Sequence, residues 1–443
     1  MSVPLSSCRK IALRNVVRNW RRSLASSLAI AAGFTAISLF DGFLKDLKFV
    51  QEDGFSSRGM LGEVVIQRHD AQYKLIEDTF AYALTKEEQE FLDSLILKDP
   101  DVDVRVRFME IKGMISNGQN NAVFIGTAMD VQEGRKMRGP TWEWNVLAGK
   151  PLYLAQDDNV ILTGMGLGLM MDCKPNADVM HVTKRGGGYI AEDRPFTCVR
   201  PRLQLSSSTE AAQVNALDLT VFGLLDHGFR EADQHYVQMP LSTAQRLLDT
   251  DKVTLISVRM LPGKDQTAFI NRIAEASKAK GYNFDVMPWR EHSIGNFIRS
   301  TNSILGTFRG IFMTIVVIIV VLSVANTMVK SVNERIREIG TLRSMGFHQK
   351  DVRTIFTLEG VGLAALSCLS GIIVTLIICL AVNYSGIRYK AGMLSVPIFL
   401  TVGINPLIWI VNTVWLTTLA ALTAWFSSRK AAKMVVADAL RYS

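Results

Sequence analysis

Gly310-Ile311-Phe312-Met313-Thr314-Ile315-Val316-Val317-Ile318-Ile319-Val320-Val321-Leu322-Ser323-Val324-Ala325-Asn326-Thr327-Met328-Val329 is a run of 20 residues without a charge. A helix needs about 20 mostly apolar residues to cross the hydrocarbon of a bilayer, and this run has that length. Three other stretches share its character. Residues 23–40 are uncharged, and the apolar pattern continues past Asp41 to Leu44. Residues 360–387 are uncharged, and so are residues 391–428. The last stretch is too long for one straight span, and Asn405-Pro406 breaks it: Asn caps helices and Pro fits their first turn. The predicted spans are therefore 23–44, 304–329, 360–387 and 406–427. The segment 388–405 is an outer loop or re-entrant piece.

Between the first and second spans lies a polar block, 45–303. The placement of Lys and Arg sets the expected orientation. Segments 1–22, 330–359 and 428–443 together carry 16 basic and 5 acidic residues, or +11, whereas the block carries 30 basic and 35 acidic, or −5. The overall +8 is thus the positive-inside asymmetry of a membrane protein and not a nucleic-acid signal. The expectation is an inner-membrane protein with both termini cytosolic and the block periplasmic. Trp20, Trp409 and Trp425 fall near the predicted interfaces, where indole rings settle. The first span reads as retained and not as a cleaved leader, because no small-x-small site ends it and Phe40-Asp41-Gly42-Phe43 continues the apolar run.

The block mixes strand and helix patterns. Strand signals sit at 63–67, 102–107, 123–126, 219–225 and 254–259. Helices are expected from the capping box Thr85-Lys86-Glu87-Glu88, from Ser242 as a cap, and over 266–280. The weakly periodic region around Gly186-Gly187-Gly188 suggests a subdomain inserted at about 155–240. The fold class is therefore membrane α-helical, with four transmembrane helices in a 1+3 order and a large α+β extracytoplasmic domain between helices 1 and 2.

No catalytic constellation emerges. Gly164-Met165-Gly166-Leu167-Gly168 lacks the spacing of a dinucleotide site and reads as the start of a packed helix. Asp226, His227, Glu231, Asp233 and His235 are metal-ligand candidates, outweighed by an acidic turn between strands. Cys173 and Cys198 are the only cysteine pair in the block, either a disulfide or two buried thiols. No Gly-x-x-x-x-Gly-Lys-[Ser/Thr] occurs in the sequence, so no cofactor is expected on this chain. ATP and Mg would sit on a separate subunit.

After the second span, Val332, Ile336, Ile339 and Leu342 form a helical apolar stripe that Met345 continues. Glu334, Arg335, Arg337 and Glu338 lie mostly elsewhere. Gly340 gives room for close approach, Arg343 adds a charge, and Gly346 ends the helix. Its mixed charge favours a coupling helix docked by its apolar side in a groove of a soluble partner. The N-terminal 1–22 reads as a basic amphipathic helix on the cytosolic lipid surface.

Residues 334–346 resemble the Glu-Arg-x-x-Glu-Ile-Gly-x-Leu-Arg-Ala-x-Gly signature of the FtsX/MacB/Lol-type ABC transporter permeases, with Ser344 in place of Ala. Leu13-Arg14-Asn15-Val16-Val17-Arg18-Asn19 resembles their N-terminal helix, and 236–245 resembles the core of their outer domain. Ala431-Ala432-Lys433 through Asp438-Ala439-Leu440-Arg441 resembles their C-terminal ending, with Val436 and Asp438 departing from the usual Pro and Glu. The resemblance implies pairing with a second permease copy or a paralogue, and two copies of a cytosolic ABC ATPase. It also implies mechanotransmission, in which ATP-driven closure is relayed to the outer domains. The detached permease looks most like the lipoprotein-releasing LolC/LolE type, which hands acylated lipoproteins to a periplasmic carrier. Two alternatives stay open. One is a MacB-like permease exporting peptides or small molecules through an adaptor. The other is an FtsX-like signalling subunit controlling an envelope hydrolase. An acyl cargo needs an apolar compartment, for which Phe34, Ile37, Phe40 and Phe43 of the first span and Ile304, Leu305, Phe308, Ile311 and Phe312 of the second are the candidate cleft.

Overall fold

The computed structural model describes residues 5–18, 20–139, 145–176, 194–389 and 398–429. Two compact units emerge: a membrane unit of Met1–Leu47, Asn302–Gly386 and Thr401–Ser443, and an extramembrane unit of Lys48–Thr301 and Ile387–Leu400. The α-helices in chain order are α1 (Leu5–Arg18), α2 (Trp20–Asp53), α3 (Ala71–Lys74), α4 (Lys86–Ile96), α5 (Val131–Arg138), α6 (Met165–Met170), α7 (Arg230–Asp233), α8 (Leu241–Leu248), α9 (Gln266–Lys280), α10 (Asn296–Glu334), α11 (Ile336–Ser344), α12 (Gln349–Ser385) and α13 (Pro406–Ser427). Four of them, α2, α10, α12 and α13, are long and apolar enough to cross a membrane, in the 1+3 order.

Lipid gives helices no hydrophobic reason to associate, so close packing and buried hydrogen bonds must hold the bundle. Glycines bring the helices together. A Cβ on Gly33 of α2 would lie 2.9 Å from Val316 Cγ1 of α10, one on Gly371 of α12 would lie 2.8 Å from Phe34 Cδ1, and one on Gly360 would lie 2.6 Å from Ala424 Cβ of α13. Hydroxyls add polar links: Ser26 Oγ donates to Ser323 O at 3.0 Å, Thr35 Oγ1 donates to Gly371 O at 3.3 Å, and Ser367 Oγ lies 2.8 Å from Ser27 Oγ. Arg309 Nε meets Asp41 Oδ1 at 2.5 Å, which explains how both charges sit among apolar helices. Asn405 caps α13, its side chain accepting from Ile408 N at 3.4 Å with Pro406 in the first turn. Trp409, in the first turn of α13, is buried against the other helices of the bundle. The helix α1 packs along α12, with Cys8, Ala12 and Asn15 buried, so it is held by protein contacts.

The extramembrane unit is built on the strands β1 (Val64–Arg68), β2 (Val102–Ser116), β3 (Asn121–Met129), β4 (Val146–Gly149), β5 (Val160–Gly164), β6 (Cys173–Pro175), β7 (Phe196–Cys198), β8 (Arg202–Ser208), β9 (Val214–Leu225), β10 (Tyr236–Pro240), β11 (Leu255–Met260) and β12 (Phe284–Pro288). Ten of them form one mixed sheet in the order β12-β1-β11-β2-β3-β10-β5-β9-β4, with β8 pairing both β2 and β9. Those last pairings close the ring β2-β3-β10-β5-β9-β8. Both sheet faces are covered. Val64 and Ile66 enter one apolar layer with Leu92, Leu247 and Phe269 of the helices, and Val65 enters the other with Met137 and Trp289. The 15-residue β2 feeds both layers: Val104, Val106 and Phe108 at even positions enter one, and Met109, Ile111 and Ile115 at odd positions enter the other. The apolar residues pass from the even to the odd positions at Phe108-Met109, which is why alternation reveals only the first half of the strand.

The segment expected as an inserted subdomain at about 155–240 is instead integral to the main sheet, to which it contributes β5, β8, β9 and β10. The triple glycine of 186–188, residues 390–397 of the outer-loop segment 388–405 and the tail 430–443 lie outside the described residues. The capping box at Thr85 is present, with Thr85 N donating to Glu88 Oε2 at 2.8 Å. Ser242 is not a cap: α8 begins at Leu241 behind Pro240, and Ser242 Oγ reaches Asp158 Oδ2. Cys173 and Cys198 face each other across the β6–β7 pair as a disulfide, with Cα atoms 4.0 Å apart.

Buried His292 caps the 3-10 turn Ser293–Gly295: its Nδ1 accepts from Ile294 N at 3.2 Å, and its Nε2 lies 2.9 Å from Gln67 Oε1. Burial pushes its pKa down to about 4, with Asp285 opposing and Arg299 assisting. Above its ordinary value of about 6.5 the ring is neutral in both folded and unfolded chains. Below that value the unfolded chain takes up a proton that the folded chain refuses. Stability is therefore expected to fall as pH drops from about 6.5 towards about 4, by at most about 3 kcal/mol from this group. Chemical denaturation of the full chain across that window checks it. His292→Asn, which keeps a capping acceptor but does not titrate, should flatten that part of the slope.

Candidate functional site

The stretch with the strongest functional signature forms an elbow between two membrane helices. The helix α10 ends at Glu334, Arg335 leaves helical geometry at φ −121° and ψ 23°, and α11 runs Ile336–Ser344. The exit of α11 is a Schellman motif: Gly346 N donates to Arg343 O at 3.1 Å and Phe347 N to Leu342 O at 3.2 Å. Gly346 takes φ +98°, which a side chain would strain. His348 then caps α12, its N–H donating to Asp351 Oδ2 at 2.8 Å.

Arg335 is the keystone of the elbow. Its Nε donates to Glu338 Oε2 at 2.6 Å and its Nη1 to Glu359 Oε2 at 3.3 Å on α12, with the guanidinium 6.0 Å from the Phe356 ring centroid. Arg335 and Glu359 are both nearly buried, whereas Glu338 and its second partner Arg18, 3.4 Å away, are half exposed. Beneath them Val332, Ile339, Val352 and Phe356 form a small apolar cluster.

This geometry corrects the expected docking face. Ile336, Ile339 and Gly340 are buried within the chain, and Leu342 and Arg343 are partly buried, so the apolar stripe seats α11 on its own protein. The exposed side consists of Glu334, Arg337, Glu338, Thr341, Ser344, Met345 and Gly346. Met345 is 64% exposed and does not continue the buried stripe. Reading the stripe alone missed Glu359, Phe356 and Arg18. Glu359 carried a signal: it is a lone carboxylate at the edge of an uncharged span.

The candidate acyl cleft is divided by the structure. Phe34 and Ile37 are buried in helix packing. Phe40 and Phe312 meet, their ring centroids 5.3 Å apart, while Phe43 and Leu305 are partly buried. Ile304, Phe308 and Ile311 lie on the open side of α10, at 57%, 60% and 54% exposure. The metal candidates are engaged elsewhere. Asp233 accepts from Met165 N, Gly166 N and His227 N at 3.2, 2.7 and 3.2 Å, Asp226 pairs with Arg58 at 3.1 Å, and His235 Nδ1 lies 3.1 Å from Val123 O. Among the described residues no cluster of three or more His, Cys, Asp or Glu is arranged to hold a metal ion. The Gly164–Gly168 stretch opens the short α6, packed so closely that a Cβ on Gly164 would fall 2.1 Å from Asp233 O.

Residues 310–436, which include the elbow, match the family described as FtsX-like permease C-terminal. The sequence is 25% identical over 205 residues to the macrolide export ATP-binding/permease protein MacB of Escherichia coli O157:H7, covering 46% of this chain and 30% of that protein. The MacB proteins of Escherichia coli K12 and Shigella flexneri match at the same identity and coverage. The matched part thus spans less than a third of these relatives. The periplasmic region of MacB from Actinobacillus actinomycetemcomitans aligns with 57% of this chain and 98% of its own, at 12% identity and a TM-score of 0.34. The extracellular domain of the ABC-type transporter YknZ from Gram-positive bacteria aligns with 51% of this chain and 98% of its own, at 11% identity and a TM-score of 0.31. The chain therefore carries an FtsX-like permease module and is similar in sequence to ABC transporter permeases of the MacB type. That module is confined to residues 310–436 and takes in α11, α12 and α13.

Removing Arg335 strands a buried carboxylate, whereas removing Glu338 breaks a half-exposed contact. Arg335→Ala is expected to cost about 3–5 kcal/mol and Glu338→Ala no more than about 1 kcal/mol. Thermal unfolding of the detergent-solubilised protein checks this, and equal losses from the two variants would remove Arg335 from its central place.

Proposed function

We propose that this chain is the permease subunit of a mechanotransmission transporter, working with two copies of a separate cytosolic ATPase and a second permease copy or paralogue. The observation that carries the reading is α10. It is one unbroken helix of 39 residues, about 58 Å long at 1.5 Å per residue. Its first turns belong to the extramembrane unit, and its last turn ends on the Arg335 elbow. A helix without a kink transmits a push along its axis. In this reading the ATPase bears on the exposed side of α11, and the Arg335–Glu359 pair passes the displacement to α10 and α12. The basic segments lie in the cytosol and the sheet unit in the periplasm, as the charge asymmetry supports.

The exposed side of α11 is the docking face in this reading, and the buried side is structural. Met345→Asp should weaken ATPase co-purification and uncouple ATP hydrolysis while leaving the permease folded. Ile339→Asp should destabilise the permease itself by burying a charge. Normal ATPase binding and coupling in Met345→Asp would exclude this face.

For cargo, the proposal is an acylated lipoprotein drawn from the outer leaflet and passed to a periplasmic carrier. Its support is the open apolar row Ile304, Phe308 and Ile311, since an acyl chain gains roughly 0.8 kcal/mol per buried CH₂. A second reading, MacB-like export through an adaptor, is favoured by the sequence likeness to the macrolide export proteins. Photo-crosslinking from Phe308 in living cells separates them. Crosslinks to lipoproteins are expected; crosslinks to phospholipid alone, with normal lipoprotein sorting in a deletion strain, turn the assignment to export.

A further inference from the structure

We propose that the membrane unit holds a phosphate-bearing anion where α12 begins and α13 finishes, supplied by an anionic phospholipid headgroup or by free phosphate. The site is centred on Trp425. The Arg353 guanidinium of α12 lies 4.1 Å from the Trp425 ring centroid, and that of Arg429, one turn beyond Trp425, lies 5.9 Å from it. Each cation is attracted by the ring, but two guanidinium groups gathered on one indole repel each other unless an anion joins them. Arg353 makes the need specific. Its Nε and Nη2 are shielded from solvent and donate no hydrogen bond among the described residues, and buried charged donors left without an acceptor are costly.

The nearby carboxylates on α12 do not fill that need. Asp351 is taken by the helix cap at His348, and Glu359 by Arg335. A phosphate matches the planar donor fork of arginine, accepting two parallel N–H bonds. The depth also fits. Arg353 precedes the uncharged run starting at Gly360 by seven residues, about 10 Å along the helix, at the level where interfacial tryptophans and headgroups lie. Leu422 and Phe426 flank the site at 52% and 60% exposure, and the Phe426 ring sits edge-on to Trp425 with centroids 4.8 Å apart. An apolar surface beside paired cations suits a headgroup with its acyl chain attached.

The test uses the purified, delipidated full chain in detergent, followed by native mass spectrometry and thermal unfolding. It is titrated with phosphatidylglycerol, with phosphatidylcholine and with inorganic phosphate. Phosphatidylglycerol should bind and stabilise the wild type in preference to phosphatidylcholine. Arg353→Gln should weaken that binding roughly tenfold, the factor that about 1.4 kcal/mol represents. Arg429→Gln should weaken it less, and it keeps the test open if the Arg353 variant does not fold. Stabilisation by millimolar phosphate that displaces the lipid would identify the occupant as free phosphate; no displacement would identify it as the headgroup. Equal phosphatidylglycerol affinity in the wild type and both variants, with no response to phosphate, overturns the site.

Discussion

Backbone groups cannot reach water inside a bilayer, and every consequence in the membrane unit follows from that constraint. Each crossing segment must satisfy its own N–H and C=O groups, so α2, α10, α12 and α13 are continuous helices. The breaks are displaced to the ends: Arg335 at one end of α10, and the Thr401–Asn405 stretch before α13. There polar side chains take over the freed backbone groups. The Asn383 amide brackets Val402, accepting its N–H at 2.9 Å and donating to its carbonyl at 3.1 Å. Gly346 and Asp351 do the same work between α11 and α12.

Charged side chains of the membrane unit pair in two places. In one, Arg309 and Asp41 neutralise each other. In the other, Arg335 joins the elbow to α12 while Arg353 and Trp425 join α12 to α13. A buried ion pair contributes little net stability but is costly to break, so the Arg335–Glu359 contact acts as a constraint on geometry more than as a source of folding energy. That property fixes the positions of α10, α11 and α12 relative to one another.

The extramembrane unit obeys a different rule. Water surrounds it, so apolar burial drives it, and its long sheet is covered on both faces. Closure of six strands through β8 removes the exposed edges that β2 and β9 would otherwise present. The Cys173–Cys198 bridge clips β6 to β7, a two-stranded pair with little core of its own.

The sequence by itself determined the four spans, the 1+3 order, the start of the last helix at Asn405-Pro406, the capping box at Thr85 and the short amphipathic helix after the second span. Each of these is written in neighbouring residues: hydropathy over about 20 positions, a cap motif, or an amphipathic turn. The tertiary structure decided which way the α11 stripe faces. Amphipathicity fixes that Ile336 and Ile339 share a side, but it does not say whether their cover is a partner or Val352 and Phe356 of the same chain. It likewise decided that residues 155–240 are woven into the main sheet, and that Phe34 packs on Gly371 while Phe308 faces outward. The paired charges Arg335–Glu359 and Arg309–Asp41 lie 24 and 268 positions apart. No local pattern joins residues so distant; only the packing that brings their helices side by side makes them partners.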